Sequence, residues 1–123
     1  AYSHDGFLAG IGSPSSSDLG YHRVYISARS RIHGKVSLAN GACQQSFVTT
    51  AKGLISVDLP AWSDMTRDQT AVIWPEGFKI EAEDETAVYC SSHKWLATDG
   101  CLVLPVEAVC KNYTVASVRN AWY

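Results

Sequence analysis

Side-chain character alternates with a period of two through most of this 123-residue chain. In Tyr21-His22-Arg23-Val24-Tyr25-Ile26-Ser27-Ala28 large or apolar side chains alternate with polar ones, the pattern of a strand with one buried face. The alternation returns in Val36-Ser37-Leu38, Phe47-Val48-Thr49-Thr50, Leu54-Ile55-Ser56-Val57-Asp58-Leu59 and Phe78-Lys79-Ile80-Glu81-Ala82. It continues in Ala87-Val88-Tyr89-Cys90, Leu102-Val103-Leu104 and Tyr113-Thr114-Val115-Ala116-Ser117-Val118. Turn dipeptides punctuate these runs: Asn40-Gly41, Lys52-Gly53, Glu76-Gly77, Glu83-Asp84 and Asp99-Gly100. With Phe7-Leu8-Ala9-Gly10-Ile11 added, the chain reads as an all-β antiparallel sandwich of about nine short strands. No window carries a helical apolar stripe. A single helical turn is expected at Val106-Glu107-Ala108-Val109, opened by Pro105.

Length sets one domain over 1–123, able to bury roughly two-thirds of its unfolded surface. A hydrophobic content of 46% with 18% charged residues suits a packed core. The net charge of −2 offers no basic footprint, which argues against nucleic acid as a partner. No apolar run reaches the roughly 18–20 residues of a membrane span, so no membrane insertion is expected. The chain starts at Ala1 without Met and has no signal-like apolar stretch, which fits a mature product after signal removal.

Four cysteines, Cys43, Cys90, Cys101 and Cys110, sit at spacings of 47, 11 and 9. Zinc sites need closely paired cysteines or histidines, so no metal is expected and two disulfides are. Four cysteines allow three pairings. Cys90–Cys101 with Cys43–Cys110 is the weakly preferred one, the first closing the Trp95 stretch. An Asn112-Tyr113-Thr114 sequon marks Asn112 as a glycosylation acceptor. Cysteines and sequon together place the protein in a secreted, extracellular setting.

Glu83-Asp84-Glu85-Thr86-Ala87-Val88-Tyr89-Cys90 looks like the strand before the second cysteine of an immunoglobulin variable domain. Cys43 is too close upstream and the expected tryptophan is missing, so the likeness is local. A wider one covers about residues 7–118. Ile26-Ser27, Val36-Ser37-Leu38, Ile55-Ser56-Val57-Asp58-Leu59-Pro60 and Ile80-Glu81-Ala82 before Ala87-Val88-Tyr89 follow in its order. Thr98-Asp99-Gly100-Cys101-Leu102-Val103-Leu104-Pro105-Val106 and then Tyr113-Thr114-Val115 match it best. These blocks resemble the N-terminal domain family of IgGFc-binding protein. The resemblance implies an extracellular β-rich binding module of the mucus and adhesion type, with no catalytic residues to carry over.

Two stretches read as long connections between strands. Residues 60–77 carry Trp62, Asp64, Arg67, Asp68, Trp74 and Glu76, and residues 91–100 carry His93, Lys94, Trp95, Thr98 and Asp99. An aromatic ring can cover the C–H face of a sugar while charged and amide groups satisfy its hydroxyl rim. His93, Trp95, Asp99, Trp62, Asp64, Arg67, Trp74 and Glu76 are therefore the candidate carbohydrate-binding residues. The bland alternative is that these tryptophans plug the ends of the sandwich. His4, His22 and His33 read as ordinary strand or surface histidines, and acidic runs such as 81–85 as solvated turns without calcium-loop spacing. No nucleophile elbow is present.

The sequence thus points to a small secreted lectin, not an enzyme, without cofactor, binding glycans or glycoproteins as a homo-oligomer. A non-catalytic adhesive module for protein partners is the second reading, and a secreted inhibitor or enzyme the third.

Overall fold

The structure is a computed structural model that describes residues 2–6, 21–38, 41, 43–59, 77–94, 97–112 and 114. The expected strands at 7–11 and 113–118 lie outside the described residues, apart from Thr114. Among the described residues eight strands run β1 (Tyr2–Gly6), β2 (Tyr21–Ala28), β3 (His33–Leu38), β4 (Gln44–Val48), β5 (Leu54–Leu59), β6 (Phe78–Ala82), β7 (Thr86–Lys94) and β8 (Ala97–Val103). They form two four-stranded sheets, β1-β6-β3-β4 (sheet A) and β5-β2-β7-β8 (sheet B), antiparallel throughout.

Period-two patterning sorts the side chains as expected. In β2, His22, Val24, Ile26 and Ala28 are buried while the alternating positions face outward. Val57 and Leu59 of β5, Val88 and Cys90 of β7 and Val103 of β8 join them. From sheet A come Val36, Leu38, Phe47, Phe78, Ile80 and Ala82, making one hydrophobic cluster between the sheets. Burial of this apolar surface is the main driving force for folding.

Among the described residues three short corners carry the chain from one sheet to the other. After β2, the Thr49 hydroxyl accepts from the Ile32 amide (3.0 Å) and donates to the Ser30 carbonyl (2.9 Å), fully buried. Before β5, Lys52 adopts φ 57°, and between β3 and β4 Gly41 adopts φ 73°, the left-handed conformation those turns require. After β6, the Glu83 amide donates to the His33 carbonyl while the Glu83 carboxylate accepts from the His33 amide. The helical turn after Pro105 is a 3₁₀ turn at Val106–Ala108.

One strand was not legible. β1 has the sequence Tyr-Ser-His-Asp-Gly, too polar to show an apolar period, yet its third residue is the most informative buried polar group in the protein. His4 is 1% exposed. Its Nδ1 lies 2.8 Å from the Val103 carbonyl of β8, and its Nε2 lies 3.1 Å from the carbonyl and 3.2 Å from the hydroxyl of Thr86 at the head of β7. An antiparallel bridge from His4 to Pro105 extends the junction. A strand of sheet A is thereby clasped to the edge strand of sheet B, closing one side of the sandwich.

The residues 91–100, expected as a long connection, are strand on both sides of residues 95–96. Cα partners run from Val88↔Val103 to Lys94↔Ala97, so Asp99-Gly100 lies inside β8 and forms no turn. Small polar residues concealed the alternation: Ser92 faces in, whereas His93 and Thr98 are paired on the outer side.

No disulfide is formed in this structure. Cys90 and Cys101 are Cα partners with their Sγ atoms 3.2 Å apart, a thiol–thiol contact and not the roughly 2.05 Å of an S–S bond. Cys43 precedes β4, one edge of sheet A, whereas Cys110 follows the 3₁₀ turn that packs against β1, the opposite edge.

Candidate ligand-binding face

The outward faces of the two sheets differ sharply. On sheet A, β1, β6, β3 and β4 present Asp5, Lys79, Glu81, Lys35, Ser37 and Ser46. Lys35 and Lys79 both ion-pair with Glu81 (3.0 and 3.6 Å). The Lys35 ammonium, with Lys79 beside it, holds the Glu81 carboxyl below its ordinary value. A shallow depression of about 440 Å³ lies over His33, Lys35, Ser46, Glu81 and Glu83. Charges that satisfy one another and point to water are a solvated face.

Sheet B presents a different set. Register places its outward residues in rows across the four strands. One row is Ser56, Tyr25, Tyr89 and Leu102, the next is Asp58, Arg23, Ser91 and Gly100, and the third is Tyr21, His93 and Thr98. Two rows bearing aromatic rings thus flank a middle row of small and charged residues. Alternate residues on a strand are roughly 6.7 Å apart, so the aromatic rows are separated by about 13 Å along the strands.

A continuous chain of side chains crosses this face. The Thr98 hydroxyl meets His93 Nδ1 (3.1 Å), and the His93 ring stacks on Tyr21 with centroids 4.5 Å apart and planes 17° apart. The Arg23 guanidinium lies over the Tyr21 ring, 4.8 Å from its centroid. Arg23 then grips Asp58 through Nε–H to Oδ1 (2.5 Å) and an NH₂ group to Oδ2 (3.2 Å). This forked pairing depresses the Asp58 carboxyl, and Asp58 followed by Tyr25 raises the Arg23 guanidinium above its ordinary value. Both partners are well exposed, so the pair adds little stability. What it does is fix the guanidinium beside the ring. β8, β7, β2 and β5 each contribute, so the sheet itself holds the set in place.

Two further features mark the face. The Ser91 Oγ, in the middle row, is buried and has no hydrogen-bond partner among the described residues. Tyr89 is 50% exposed and Leu102, its cross-strand partner, 52%. Leu54 and Leu104 are exposed as well.

Of the residues singled out from sequence, His93 stands at the centre of this chain of contacts. Asp99 lies in β8 as the Cα partner of Ser92. Trp95, Trp62, Asp64, Arg67, Trp74 and Glu76 lie outside the described residues. Asn112 and Thr114 are exposed. Sequence reasoning passed over Tyr21, Arg23, Tyr25, Asp58, Tyr89 and Thr98. The signal for them was present, since Tyr21, Arg23 and Tyr25 occupy the outward register of β2, where large aromatic groups have no core to fill. Among the described residues no cluster of three or more His, Cys, Asp or Glu side chains is arranged to hold a metal ion.

Comparison of the chain with family models, curated proteins and solved structures finds no match.

Proposed function

We propose that this protein is a non-catalytic carbohydrate-binding protein, a lectin acting outside the cell, and that its ligand lies on the outward face of sheet B. The observation that supports the reading is the ordered run Thr98–His93–Tyr21–Arg23–Asp58 beside the row that bears Tyr25 and Tyr89. Tyrosines offer flat apolar surface to the C–H face of a sugar, and the fixed guanidinium, carboxylate and hydroxyls complement its rim. The unpartnered Ser91 hydroxyl adds a hydrogen-bonding group that a ligand hydroxyl completes. Trp95 and the 60–77 stretch with Trp62 and Trp74 remain further candidate sugar contacts by composition. The resemblance to the IgGFc-binding domain family leads to the same extracellular class. In that setting Asn112 carries a glycan and Cys90 and Cys101 are oxidised to a disulfide, a pairing supported by their opposed positions. A homo-oligomer raises the strength of a weak single site by multivalency.

A glycan array at micromolar protein tests the reading. Silence across the array with an intact fold refutes it. Where a ligand is found, Tyr21→Ala and His93→Ala each weaken binding about tenfold, a loss of about 1.4 kcal/mol, while thermal unfolding stays close to wild type. Retained affinity in both, with loss in Trp62→Ala or Trp74→Ala, moves the site to the 60–77 stretch. The exposed Tyr89, Leu102 and Leu54 favour, as a second reading, an adhesive module whose apolar strip meets a protein surface.

A further inference from the structure

We infer that Cys90 and Cys101 form a reversible dithiol–disulfide switch, entered at Cys101, that sets how firmly β8 is held on the face of sheet B. The inference deepens the extracellular reading above, replacing a passive staple by a site of thiol–disulfide exchange. Three observations carry it. The two residues are directly opposed across β7 and β8, with sulfurs already in contact at 3.2 Å. Cys101 is exposed and Cys90 is buried, so an incoming reagent reaches only one of them. The third is position along β8.

Among the described strands β8 is the edge of sheet B, paired with β7. At its far end it is clasped by β1, through the His4 bond to Val103 and the bridge to Pro105. Residues 97–101 lie beyond that clasp and pair with β7. Thr98, which holds the His93 ring, belongs to this half. Cys101 stands at the boundary between the clasped and unclasped halves. A covalent link there carries the anchorage from Val103 toward Thr98.

The chemistry closes with a low-molecular-weight disulfide of the glutathione class as oxidant. The Cys101 thiol loses its proton and the thiolate attacks one sulfur of the reagent. One reagent thiol is released with a proton, leaving a mixed disulfide on Cys101. The Cys90 thiol, deprotonated in turn, attacks Cys101 Sγ and displaces the second reagent thiol. Two cysteine thiols give up two electrons in all, and one disulfide reagent becomes two thiols. The exposed position of Cys101 leaves the bond open to the reverse reaction.

The test needs no glycan, so its outcome is independent of whether a sugar ligand is found. The whole protein is equilibrated in glutathione buffers from reducing to oxidising, quenched with an alkylating reagent and mapped by mass. In parallel, amide hydrogen exchange is followed along β8. The expected result is loss of alkylation at Cys90 and Cys101 together in monomeric protein, restored by reduction. Exchange at residues 97–101 slows at least several-fold in the oxidised form, and residues 103–105 change little. Cys90→Ser traps glutathione on Cys101, whereas Cys101→Ser leaves Cys90 unmodified. The inference is overturned if the wild type retains the mixed disulfide, if Cys90 couples to another cysteine, or if exchange in 97–101 is unaffected by oxidation.

Discussion

Replacing His4 probes the closure of the sandwich. His4→Leu keeps comparable bulk in a position that is 1% exposed but deletes both ring nitrogens, which meet the Val103 carbonyl and Thr86. Each hydrogen bond contributes about 0.5–1.5 kcal/mol net, and a buried acceptor left without a donor costs about 1–3 kcal/mol. The Val103 carbonyl is the group stranded, since the Thr86 hydroxyl can rotate. A loss of about 2–4 kcal/mol follows, a large part of a total stability of about 5–15 kcal/mol. At this chain length that is a fall in Tm on the order of 10 °C. His4→Asn places its amide nitrogen near the former Nδ1, keeps the bond to Val103, and recovers roughly half of the loss by the same hydrogen-bond values. Urea unfolding followed by tryptophan fluorescence measures all three proteins on one scale. A His4→Leu variant within about 0.5 kcal/mol of wild type refutes the clasp, that margin being the ordinary scatter of neutral surface substitutions. So does a His4→Asn variant no better than His4→Leu.

Two further outcomes follow from the packing and the charges. Gly34→Ala sets a methyl group 2.3 Å from the Phe47 ring and 2.6 Å from the Glu81 carbonyl oxygen. The backbone oxygen cannot yield, so calorimetry should show a loss of about 1–3 kcal/mol. Asp58 and Glu81 have carboxyls depressed by Arg23 and Lys35 respectively, so each favours the folded state above its unfolded pKa. That contribution is complete above the ordinary values of 3.8 and 4.5 and is lost as pH falls through the depressed ones. Urea midpoints taken from pH 6 down to 2 should fall less steeply for Asp58→Asn than for wild type, and an equal slope counts against the Arg23–Asp58 assignment.

The sequence made the sandwich legible wherever a strand alternates clearly between core and solvent. β2 and β5 are read to the residue because their apolar positions recur without interruption. β1 was invisible because Tyr-Ser-His-Asp-Gly buries a polar ring whose partners lie in β7 and β8, and no local pattern encodes that. The upper halves of β7 and β8 were read as a connection for a related reason. Ser91, Ser92, Thr98 and Gly100 carry little hydrophobic contrast, and their pairing is imposed by the register begun at Val88 and Val103. The face of sheet B was missed on a different ground. Its members lie on all four strands, and only the lateral register brings Thr98, His93, Arg23 and Asp58 into one line. His93 was selected because it stood near Trp95 in sequence, whereas its structural neighbour is Tyr21, 72 positions away.

The clasp at His4 also orders events in time. The bond to Val103 joins residues 99 positions apart, and even the sheet partner of β1, β6, begins only at Phe78. Closing so long a loop slows folding far more than it lowers final stability. Synthesis proceeds from the amino end, so β1 emerges before every strand it must join. It waits unpaired until β6 has left the ribosome and unclasped until β8 and Pro105 have followed. The earliest-made of the described strands is thus among the last secured, and agents that shield exposed strand edges during synthesis should raise the yield of native protein.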